Sequence, residues 1–526
     1  MITGKNLIGF KLSALGSASF RTFNHFQNQE NDTLFFDATT SEIEDALNLA
    51  NKAFHQFKFC SDCEKVKFFE ALVNELLNSR KEILSLYTQE TGLSLSRGEV
   101  EFNRTIAQIQ QFLKLIASNE WMQPSIDTAE AGELTAKSDI RKIKIGLGPV
   151  VVFGASNFPL AYSTLGGDTV SALAAGCPVI VKSHPMHAGT AELVANAVIR
   201  AIKCAGLPEG VFSNLNGNTH QIGAYLVKHP LVKAVAFTGS HNGGRALFDL
   251  ASHRRDPIPV FAEMGSLNPV VVDNRDLIHN SAKWVEELSA SVTNDAGQFC
   301  TKPGLVFIKS GEYVDQFINA FKAEVKRKGV KTMVHPSLKS KFLDQLAALR
   351  DSSNFDLIDE LSEVDVQPLV LEISDIDFLT NALFQDEFFG PFCLIVRCKS
   401  DDQLLKCLNV LEGQLTASIF VHHEFTNEQD VKQWIRIFQD KAGRINFNNV
   451  PTGVRVCDSM HHGGPYPAST DNRFGAVGID AIDRFLRPVC FQNFPDDHLP
   501  EILKDKNPFK IARRINGEMS FAEIIR

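Results

Sequence analysis

The chain has 526 residues, too many for one ordinary hydrophobic core, so we expect two or three domains. Its formal net charge of -9 argues against a nucleic-acid partner, and no apolar stretch reaches the length of a membrane span. The amino terminus lacks the apolar core of a signal peptide. The ten cysteines are unclustered, which is typical of free thiols in a reducing compartment and favours a cytoplasmic protein.

The first 36 residues indicate a short entry of strands and turns, after which the pattern becomes helical. Apolar residues recur at helical spacing in three successive segments, near 41–54, 62–91 and 106–116. Residues 121–140 are polar and irregular. Residues 141–146 then alternate between charged and apolar side chains, which predicts a strand with one solvated face.

From residue 148 the pattern changes to continuous apolar runs separated by helical segments. The apolar runs lie at 150–153, 178–182 and 232–237. The helical segments lie at 164–175, 187–205 and 219–228. Continuous apolar runs are typical of parallel strands that are covered on both faces. The alternation therefore predicts an open, doubly wound α/β domain, in which ligands bind beyond the carboxyl ends of the strands.

Three stretches with polar or glycine residues follow those strands. They contain Asn157, Lys182 and a turn that runs from Gly239 to Gly244. The glycines allow backbone N–H groups to face a phosphate, and the dipole of the following helix favours an anion. The turn lacks the G-x-G-x-x-G fingerprint, so tight packing is an equally good interpretation of it.

Two further junctions carry reactive side chains. A strand at 258–262 runs into Glu263, where a carboxylate beside apolar walls could act as a base. The stretch 294–303 places Cys300 after a Gly-Gln pair and before a Pro-Gly stop, between a helix and a strand. Taken singly, Glu263 could be a solvated surface residue and Cys300 a buried structural thiol.

The remaining motifs are weaker. Glu387 opens a Glu-Phe-Phe-Gly-Pro stretch ahead of an apolar strand, and the glycine- and proline-rich tail contains His461 and His462. These histidines could be metal ligands, but no set with ligand spacing accompanies them. Packing or loop hydrogen bonding is favoured, and no metal site is predicted. Cys60 and Cys63 have redox spacing without a second pair, and we interpret them as incidental.

Together these stretches resemble the aldehyde dehydrogenase superfamily over nearly the whole chain, from about residue 5 to residue 495. Six motifs occur in order: Asn157-Phe-Pro, Lys182, Phe237-Thr-Gly-Ser240 with Gly244, Glu263-Met-Gly-Ser, Gly297-Gln-Phe-Cys300, and Glu387-Phe-Phe-Gly-Pro391. The residues after Cys300 and the stretch that begins at Cys457 are similar to the branch that contains 2-oxoglutarate semialdehyde dehydrogenases.

The resemblance implies a Rossmann-type cofactor domain, an α/β catalytic domain and a small bridging β-sheet. The implied boundaries are 1–120 and 149–262 for the NAD(P)-binding domain, 263–450 for the catalytic domain, 121–148 and 483–495 for the bridging segments, 451–482 for active-site loops, and 496–526 for a carboxyl-terminal extension. Exposed strand edges of the bridging sheet favour a homodimer or a homotetramer.

The resemblance also implies catalytic roles. Cys300 would attack the aldehyde carbon, and Asn157 with the Cys300 backbone N–H would stabilise the alkoxide. Glu263 would activate the water that hydrolyses the resulting thioester, so that the product is a carboxylate. The implied substrate is 2-oxoglutarate semialdehyde. The alternatives are an aliphatic aldehyde, transfer of the acyl group to CoA, and a family-like binding protein with an inactive site.

The residues that the resemblance assigns to NAD or NADP are Lys182, Gly239, Ser240, Gly244, Glu387 and Phe389. Many family members carry a glutamate three residues after the lysine, where this chain has Pro185. The missing carboxylate removes a repulsion against a 2′-phosphate, so we expect NADP to be used at least as well as NAD. An acidic aldehyde would need a cationic partner. Arg455 and Arg473 are candidates, unless they are solvated surface arginines.

Overall fold

The computed structural model describes residues 2–130, 137–353, 364–422 and 427–525. Small parts of the predicted bridging segment and catalytic domain therefore lie outside the described residues. The described helices are α1 Thr40–Phe57, α2 Asp62–Thr91, α3 Leu95–Ser118, α4 Gly167–Ala174, α5 Ala188–Ala205, α6 His220–Lys228, α7 His241–Ser252, α8 Leu277–Thr293, α9 Val314–Arg327, α10 Pro336–Ser353, α11 Asp375–Thr380, α12 Asp401–Val410 and α13 Glu428–Lys441. None of these helices has both the length and the apolarity that crossing a membrane requires.

The strands are short and fall into three main sheets and several small pairs. In chain order they are β1 Asn6–Ile8, β2 Lys11–Ser13, β3 Ser19–Phe20, β4 Phe23–Asn24, β5 Gln29–Glu30, β6 Phe35–Phe36, β7 Ser125–Asp127, β8 Ile140–Gly146, β9 Val150–Phe153, β10 Val179–Lys182, β11 Phe212–Leu215, β12 Ala234–Thr238, β13 Val260–Glu263, β14 Val270–Val272, β15 Leu305–Lys309, β16 Lys331–Thr332, β17 Asp365–Val366, β18 Leu369–Ser374, β19 Phe392–Cys398, β20 Gln414–Phe420, β21 Ala442–Phe447, β22 Leu486–Gln492, β23 Arg513–Ile515 and β24 Glu518–Ser520.

The first sheet has the strand order β13-β12-β9-β10-β11-β1-β2. The strands from β13 to β11 are parallel, and β1 and β2 are added antiparallel at one edge. All four residues of β9 are buried, as its continuous apolar sequence predicts. The chain forms β9, β10 and β11 in one direction and then returns to form β12 and β13. The topological switch point, where such sheets bind ligands, therefore lies between β9 and β12.

The second sheet has the order β18-β19-β15-β14-β20-β21, and all its strands are parallel. Helices pack on it through aromatic contacts. Trp284 of α8 meets Phe420 of β20 edge to face, with ring centroids 5.5 Å apart, and Phe307 of β15 meets Phe378 of α11 at 5.3 Å. Many of the forty phenylalanines of the chain are buried in hydrophobic contacts of this kind. The predicted pair of α/β domains is confirmed.

The third sheet, of order β22-β8-β7-β23-β24, is the predicted bridging sheet. Its strands β7, β8 and β22 come from the segments assigned to it. The carboxyl-terminal extension, which the sequence indicated only as a charged tail, adds β23 parallel to β7 and then β24. Arg141 on β8 anchors this tail: its buried guanidinium pairs with Asp139 at 2.8 Å and with Asp505 at 2.7 Å, and it donates to the Leu503 carbonyl. The extension is thus part of the sheet.

Candidate active site

The predicted site residues lie at the carboxyl ends of the first sheet, where it faces the second. Asn157 follows β9, the glycine turn follows β12, and Glu263 is the last residue of β13. The backbone of Glu263 also bridges to Ser469, which brings the carboxyl-terminal loops onto this edge. Cys300 lies in the loop between α8 and β15. Parallel strand order alone therefore brings Asn157, the glycine turn and Glu263 to one edge.

The loop before Cys300 has an unusual backbone. Asp295, Ala296 and Gly297 have positive φ angles of 44°, 55° and 66°. Non-glycine residues rarely adopt this region, so the turn needs support from its surroundings. Arg97 of α3 supplies it, because its guanidinium forms an ion pair with the Asp295 carboxylate at 2.5 Å. The conformation that presents Cys300 is thus held by a helix distant in sequence.

Asn268 fixes the same loop from the other side. Its side-chain amide donates to the carbonyl of Cys300 at 2.8 Å and to that of Lys302 at 2.9 Å. Its carbonyl oxygen accepts a hydrogen bond from the Thr416 hydroxyl of β20 at 2.8 Å. The backbone on both sides of Thr301 is therefore tied to the second sheet, which limits how far the Cys300 sulfur can move.

Cys300, Glu263 and His462 converge. The His462 Nε2 atom lies 3.5 Å from the Cys300 Sγ atom and 3.0 Å from Glu263 Oε1, and the three ligating atoms lie within 4.8 Å of one another. The His462 ring is close to the Glu263 carboxylate, but the two groups are not aligned for a hydrogen bond. Neither carboxylate oxygen has a hydrogen-bond donor among the described residues. A thiol, a base and an imidazole in this arrangement suit nucleophilic catalysis followed by proton transfer, although one metal ion would also fit the same atoms.

The pKa values of Cys300 and Glu263 are shifted in opposite directions. Burial raises the pKa of Cys300 well above its ordinary value, and the negative charge of Glu263 adds to that effect. Burial alone would also raise the pKa of Glu263, but His462, with smaller contributions from Cys300 and the Arg104 charge, outweighs burial and leaves the Glu263 pKa lowered. At neutral pH the resting site therefore holds a neutral thiol beside an ionised carboxylate, which can accept the thiol proton.

Asn157 lies where an oxyanion donor is needed. Its side-chain amide donates to the Gln298 carbonyl at 2.8 Å, two residues before Cys300. An amide nitrogen has two N–H groups, so this bond orients the side chain and leaves the second group available. The half-buried Asn157 therefore stands beside the nucleophile loop with one donor for a developing alkoxide.

The cofactor turn begins α7. The Ser240 hydroxyl accepts from the Gly243 N–H at 3.3 Å, and Gly239 N–H donates to the Glu263 carbonyl at 3.0 Å. A Cβ atom on Gly244, in the first turns of α7, would lie 2.6 Å from the Met264 sulfur, so a larger residue there would displace the Met264 side chain. The turn thus places a helix amino terminus beside the switch point, as an anionic pyrophosphate requires.

Other cofactor residues also fit a dinucleotide. Lys182 ends β10, is half-buried, and has a pKa that burial lowers to about 8. The Thr238 hydroxyl, just before the turn, is buried and has no hydrogen-bond partner within the described part of the chain. A cationic side chain at the end of β10 and an unsatisfied hydroxyl at the end of β12, with β9 between them, are polar groups that a phosphorylated ribose can use.

Glu387 and Phe389 are half-buried in the loop before β19. The Glu387 carboxylate lies against the backbone of Gly265, where a Cβ would come within 2.2 Å of it. Burial raises the pKa of Glu387 to about 7, and the nearby Lys302 opposes the shift. Lys302 Nζ donates to the carbonyls of Phe388 at 2.9 Å and Phe392 at 2.8 Å, which holds this loop against the nucleophile loop.

The two predicted substrate arginines, Arg455 and Arg473, are both exposed. Arg473 is paired with Asp471 at 2.6 Å. Neither has a hydrogen bond or an ion pair with a catalytic residue in the described ranges. His462, by contrast, for which the sequence favours packing or loop hydrogen bonding over metal binding, touches both Cys300 and Glu263. The one sequence signal for it was its place in the histidine- and glycine-rich tail.

Comparisons with known proteins agree with this geometry. The sequence model described as "Aldehyde dehydrogenase family" matches residues 14–487. The chain is 40% identical to alpha-ketoglutaric semialdehyde dehydrogenase 2 of Azospirillum brasilense and 39% identical to alpha-ketoglutaric semialdehyde dehydrogenase of Acinetobacter baylyi; each alignment covers 98% of this chain and 99% of the relative. The 1-pyrroline-5-carboxylate dehydrogenase from Thermus with bound NAD has the same fold, with a TM-score of 0.78 and 21% identity over 93% of this chain and 92% of that one.

Proposed function

The chain belongs to the aldehyde dehydrogenase family, and from this premise we propose that it oxidises 2-oxoglutarate semialdehyde to 2-oxoglutarate with NAD or NADP. The convergence of Cys300, Glu263 and His462 within 4.8 Å carries the chemistry. The names of the two relatives support the substrate, because alpha-ketoglutaric semialdehyde is the same compound and both relatives align with nearly the whole chain.

In the first half of the reaction Cys300 acts as the nucleophile. Its thiol proton passes to the Glu263 carboxylate while the sulfur forms a bond to the aldehyde carbon. Because the Glu263 pKa is lowered, the carboxyl group then releases this proton to solvent and is ionised again for the second half. The aldehyde oxygen becomes an alkoxide, which the free N–H of Asn157 and the backbone N–H of Cys300 stabilise. The product of this half is a thiohemiacetal.

A bound nicotinamide would supply the oxidation by taking up the hydride of the thiohemiacetal carbon, so that the alkoxide becomes the carbonyl of a thioester. Glu263 then removes a proton from a water molecule that attacks this carbonyl. The carbon–sulfur bond breaks, the released Cys300 sulfur takes the proton back from Glu263, and the acid product gives its own proton to solvent and leaves as a carboxylate. His462 keeps the Glu263 carboxylate ionised and close to the sulfur in both halves.

The cofactor would be held by residues at two strand ends, those of β10 and β12, and by the Glu387 loop. Ser240 and the glycine turn bind the pyrophosphate, Lys182 the adenosine ribose, Glu387 the nicotinamide ribose, and Phe389 packs near the ring. Because Pro185 replaces the usual glutamate, NADP is used at least as well as NAD. Steady-state kinetics with both cofactors test this point, and a strong preference for NAD would refute it.

The protein also works as a homodimer or homotetramer in the cytoplasm. Two strands of the bridging sheet, β22 and β24, have an outer edge that pairs with no other strand of the described residues, and such edges are commonly covered by a second subunit. All ten cysteines are free thiols, as is usual in a reducing compartment.

A substrate panel tests the proposal. Initial rates are measured with 2-oxoglutarate semialdehyde, pentanal and a long-chain aldehyde, with each cofactor, in the presence and absence of CoA. We expect the highest kcat/KM with 2-oxoglutarate semialdehyde and free 2-oxoglutarate as the product under every condition. Preference for the aliphatic aldehydes, an acyl-CoA product, or no oxidation at all would contradict the proposal.

A further inference from the structure

Buried and half-buried arginines near the active site fall into two groups. Arg97 pairs with Glu101 at 2.9 Å, and Arg484 pairs with Asp168 at 2.6 Å, so their charges are compensated. Arg104 and Arg444 have no acidic partner within the described parts of the chain, although both are half-buried. Burying a charge without a counter-ion is costly, so an unbalanced pair of cations beside a nucleophile requires an explanation.

Arg104 lies on α3 and faces the aromatic wall of the site. Its Nη2 atom donates to the Tyr162 hydroxyl, and its guanidinium carbon lies 4.8 Å from the Tyr162 ring centroid and 6.0 Å from that of Phe158. Its Nε atom is buried without a hydrogen-bond partner, and no described residue hydrogen-bonds to Nη1. The contact with Tyr162 therefore orients the Arg104 side chain, and the N–H groups of its Nε and Nη1 atoms can still donate hydrogen bonds to a ligand.

Arg444 lies on β21 and faces the same region from the second sheet. Its terminal nitrogens donate to the carbonyls of Pro451 at 2.5 Å and Gly453 at 2.9 Å, and its Nε atom has no partner among the described residues. Thr452, between these carbonyls, donates to the Thr301 carbonyl at 3.5 Å. Arg444 is thus joined through one short loop to the residue that follows Cys300.

Contacts and charges link both arginines to the reacting sulfur. The Tyr162 ring that Arg104 touches lies 5.9 Å from the His462 ring. Burial raises the Cys300 pKa, and the Arg104 charge partly offsets that rise. Burial lowers the Arg444 pKa, the Cys300 thiolate opposes this shift, and the Arg104 charge adds to it. The charges of Arg104 and Arg444 therefore act on each other and on the Cys300 sulfur, and a bound anion would relieve their repulsion.

We propose that Arg104 and Arg444 bind the carboxylate of the aldehyde substrate, which makes them the residues that select an acidic aldehyde. The proposal rests on the proposed function and names the subsite that function requires. Guanidinium groups form strong, directional bonds with carboxylates. The rings of Phe158 and Phe299, with centroids 5.3 Å apart, supply an apolar wall for the methylene groups between the carboxylate and the aldehyde.

The test compares an acidic and a neutral substrate of equal chain length. kcat/KM is measured for 2-oxoglutarate semialdehyde and for pentanal in the wild type, Arg104→Met, Arg104→Lys, Arg444→Met and the double methionine variant. We expect Arg104→Met to lower the acidic-to-neutral ratio about 100-fold, because a charge-assisted bond is lost, and Arg104→Lys to restore part of the ratio. Arg200→Met, which removes a surface guanidinium paired with Glu75, is the control and should keep the wild-type ratio.

A second measurement tests carboxylate binding directly and does not require oxidation of the acidic aldehyde. Glutarate should inhibit pentanal oxidation competitively in the wild type, with a Ki at least tenfold higher in Arg104→Met. If the wild type shows no preference for the acidic aldehyde, the proposed substrate is wrong. If the wild type has that preference and all the Arg104 and Arg444 variants keep it, or if Arg455→Met or Arg473→Met removes it instead, the subsite proposed here is wrong and the proposed function stands.

Discussion

The two sides of Cys300 are built in different ways. On the cofactor side, Lys182, Ser240 and Glu263 end or follow parallel strands of one sheet, and strand order alone brings them together. On the substrate side, Arg104 comes from an amino-terminal helix and His462 from the carboxyl-terminal loops. The cofactor side is thus a property of the sheet, whereas the substrate side exists only when distant segments pack. Substitutions should therefore affect the two sides separately.

The largest effect is expected for Cys300→Ser. The hydroxyl is a far weaker nucleophile than a thiolate, so kcat should fall on the order of 10⁴-fold or more. Because the thiol contributes nothing to the cofactor turn, the Kd for NADPH measured by fluorescence titration should stay within about threefold of the wild type. A comparable loss of cofactor binding would show that the two sides are not separable.

Glu263→Gln should slow the hydrolysis of the thioester. Loss of the general base is expected to lower the steady-state rate about 10³-fold. Removing the negative charge also removes one cause of the raised Cys300 pKa, so this pKa should fall. The pH dependence of iodoacetamide alkylation at Cys300 measures it, with Glu263→Asp as the control that keeps the charge. An alkylation pKa that rises in Glu263→Gln would contradict the electrostatic account.

His462→Phe keeps an aromatic ring but loses the nitrogen that faces both Cys300 and Glu263. We expect kcat at neutral pH to fall about 30-fold, which is less than the roughly 10²–10⁴-fold loss of a general acid or base, because His462 supports Glu263 and transfers no proton itself. His462 lowers the Glu263 pKa against burial, so without it this pKa should rise. The base works only when ionised, and the acid limb of the kcat profile should therefore move to higher pH. An unmoved acid limb would limit His462 to a packing role.

Glu387→Gln tests the cofactor side alone. The carboxylate of Glu387, with a pKa raised to about 7, accepts hydrogen bonds from the ribose best when ionised. In the wild type the KM for NADP should therefore increase as the pH falls below 7. The glutamine variant should lose this pH dependence and have a KM about tenfold higher, while the KM for the aldehyde changes little. A change confined to the aldehyde KM would reverse the assignment.

The same contrast explains how much the sequence could predict. Asn157, the glycine turn and Glu263 were located because each follows an apolar run, and the ends of parallel strands meet at one edge. The confirmed family and doubly wound fold rest on such local patterns. Arg104 gave no such signal, because on an amphipathic helix it is indistinguishable from a solvated arginine.

The structure of the carboxyl-terminal tail could not be predicted from the sequence for a different reason. Strands β23 and β24 have three residues each, too few to show a period, and they form because β7 offers an edge and the buried Arg141 pairs with Asp505. His462 likewise has a role only through its distances to Cys300 and Glu263, and no spacing along the chain encodes those distances. Both features depend on tertiary packing.

The central claim, that Cys300 carries the acyl group and Glu263 releases it, is tested most directly by mass spectrometry of Glu263→Gln after mixing with 2-oxoglutarate semialdehyde and NADP. In this variant the Cys300 thiol no longer faces the negative charge of Glu263, so its pKa falls and it can release its proton to solvent. The account therefore predicts one equivalent of reduced cofactor formed in a burst and a protein heavier by one 2-oxoglutaryl group, located on the peptide that contains Cys300. A burst without an adduct, or an adduct on another residue, would contradict it.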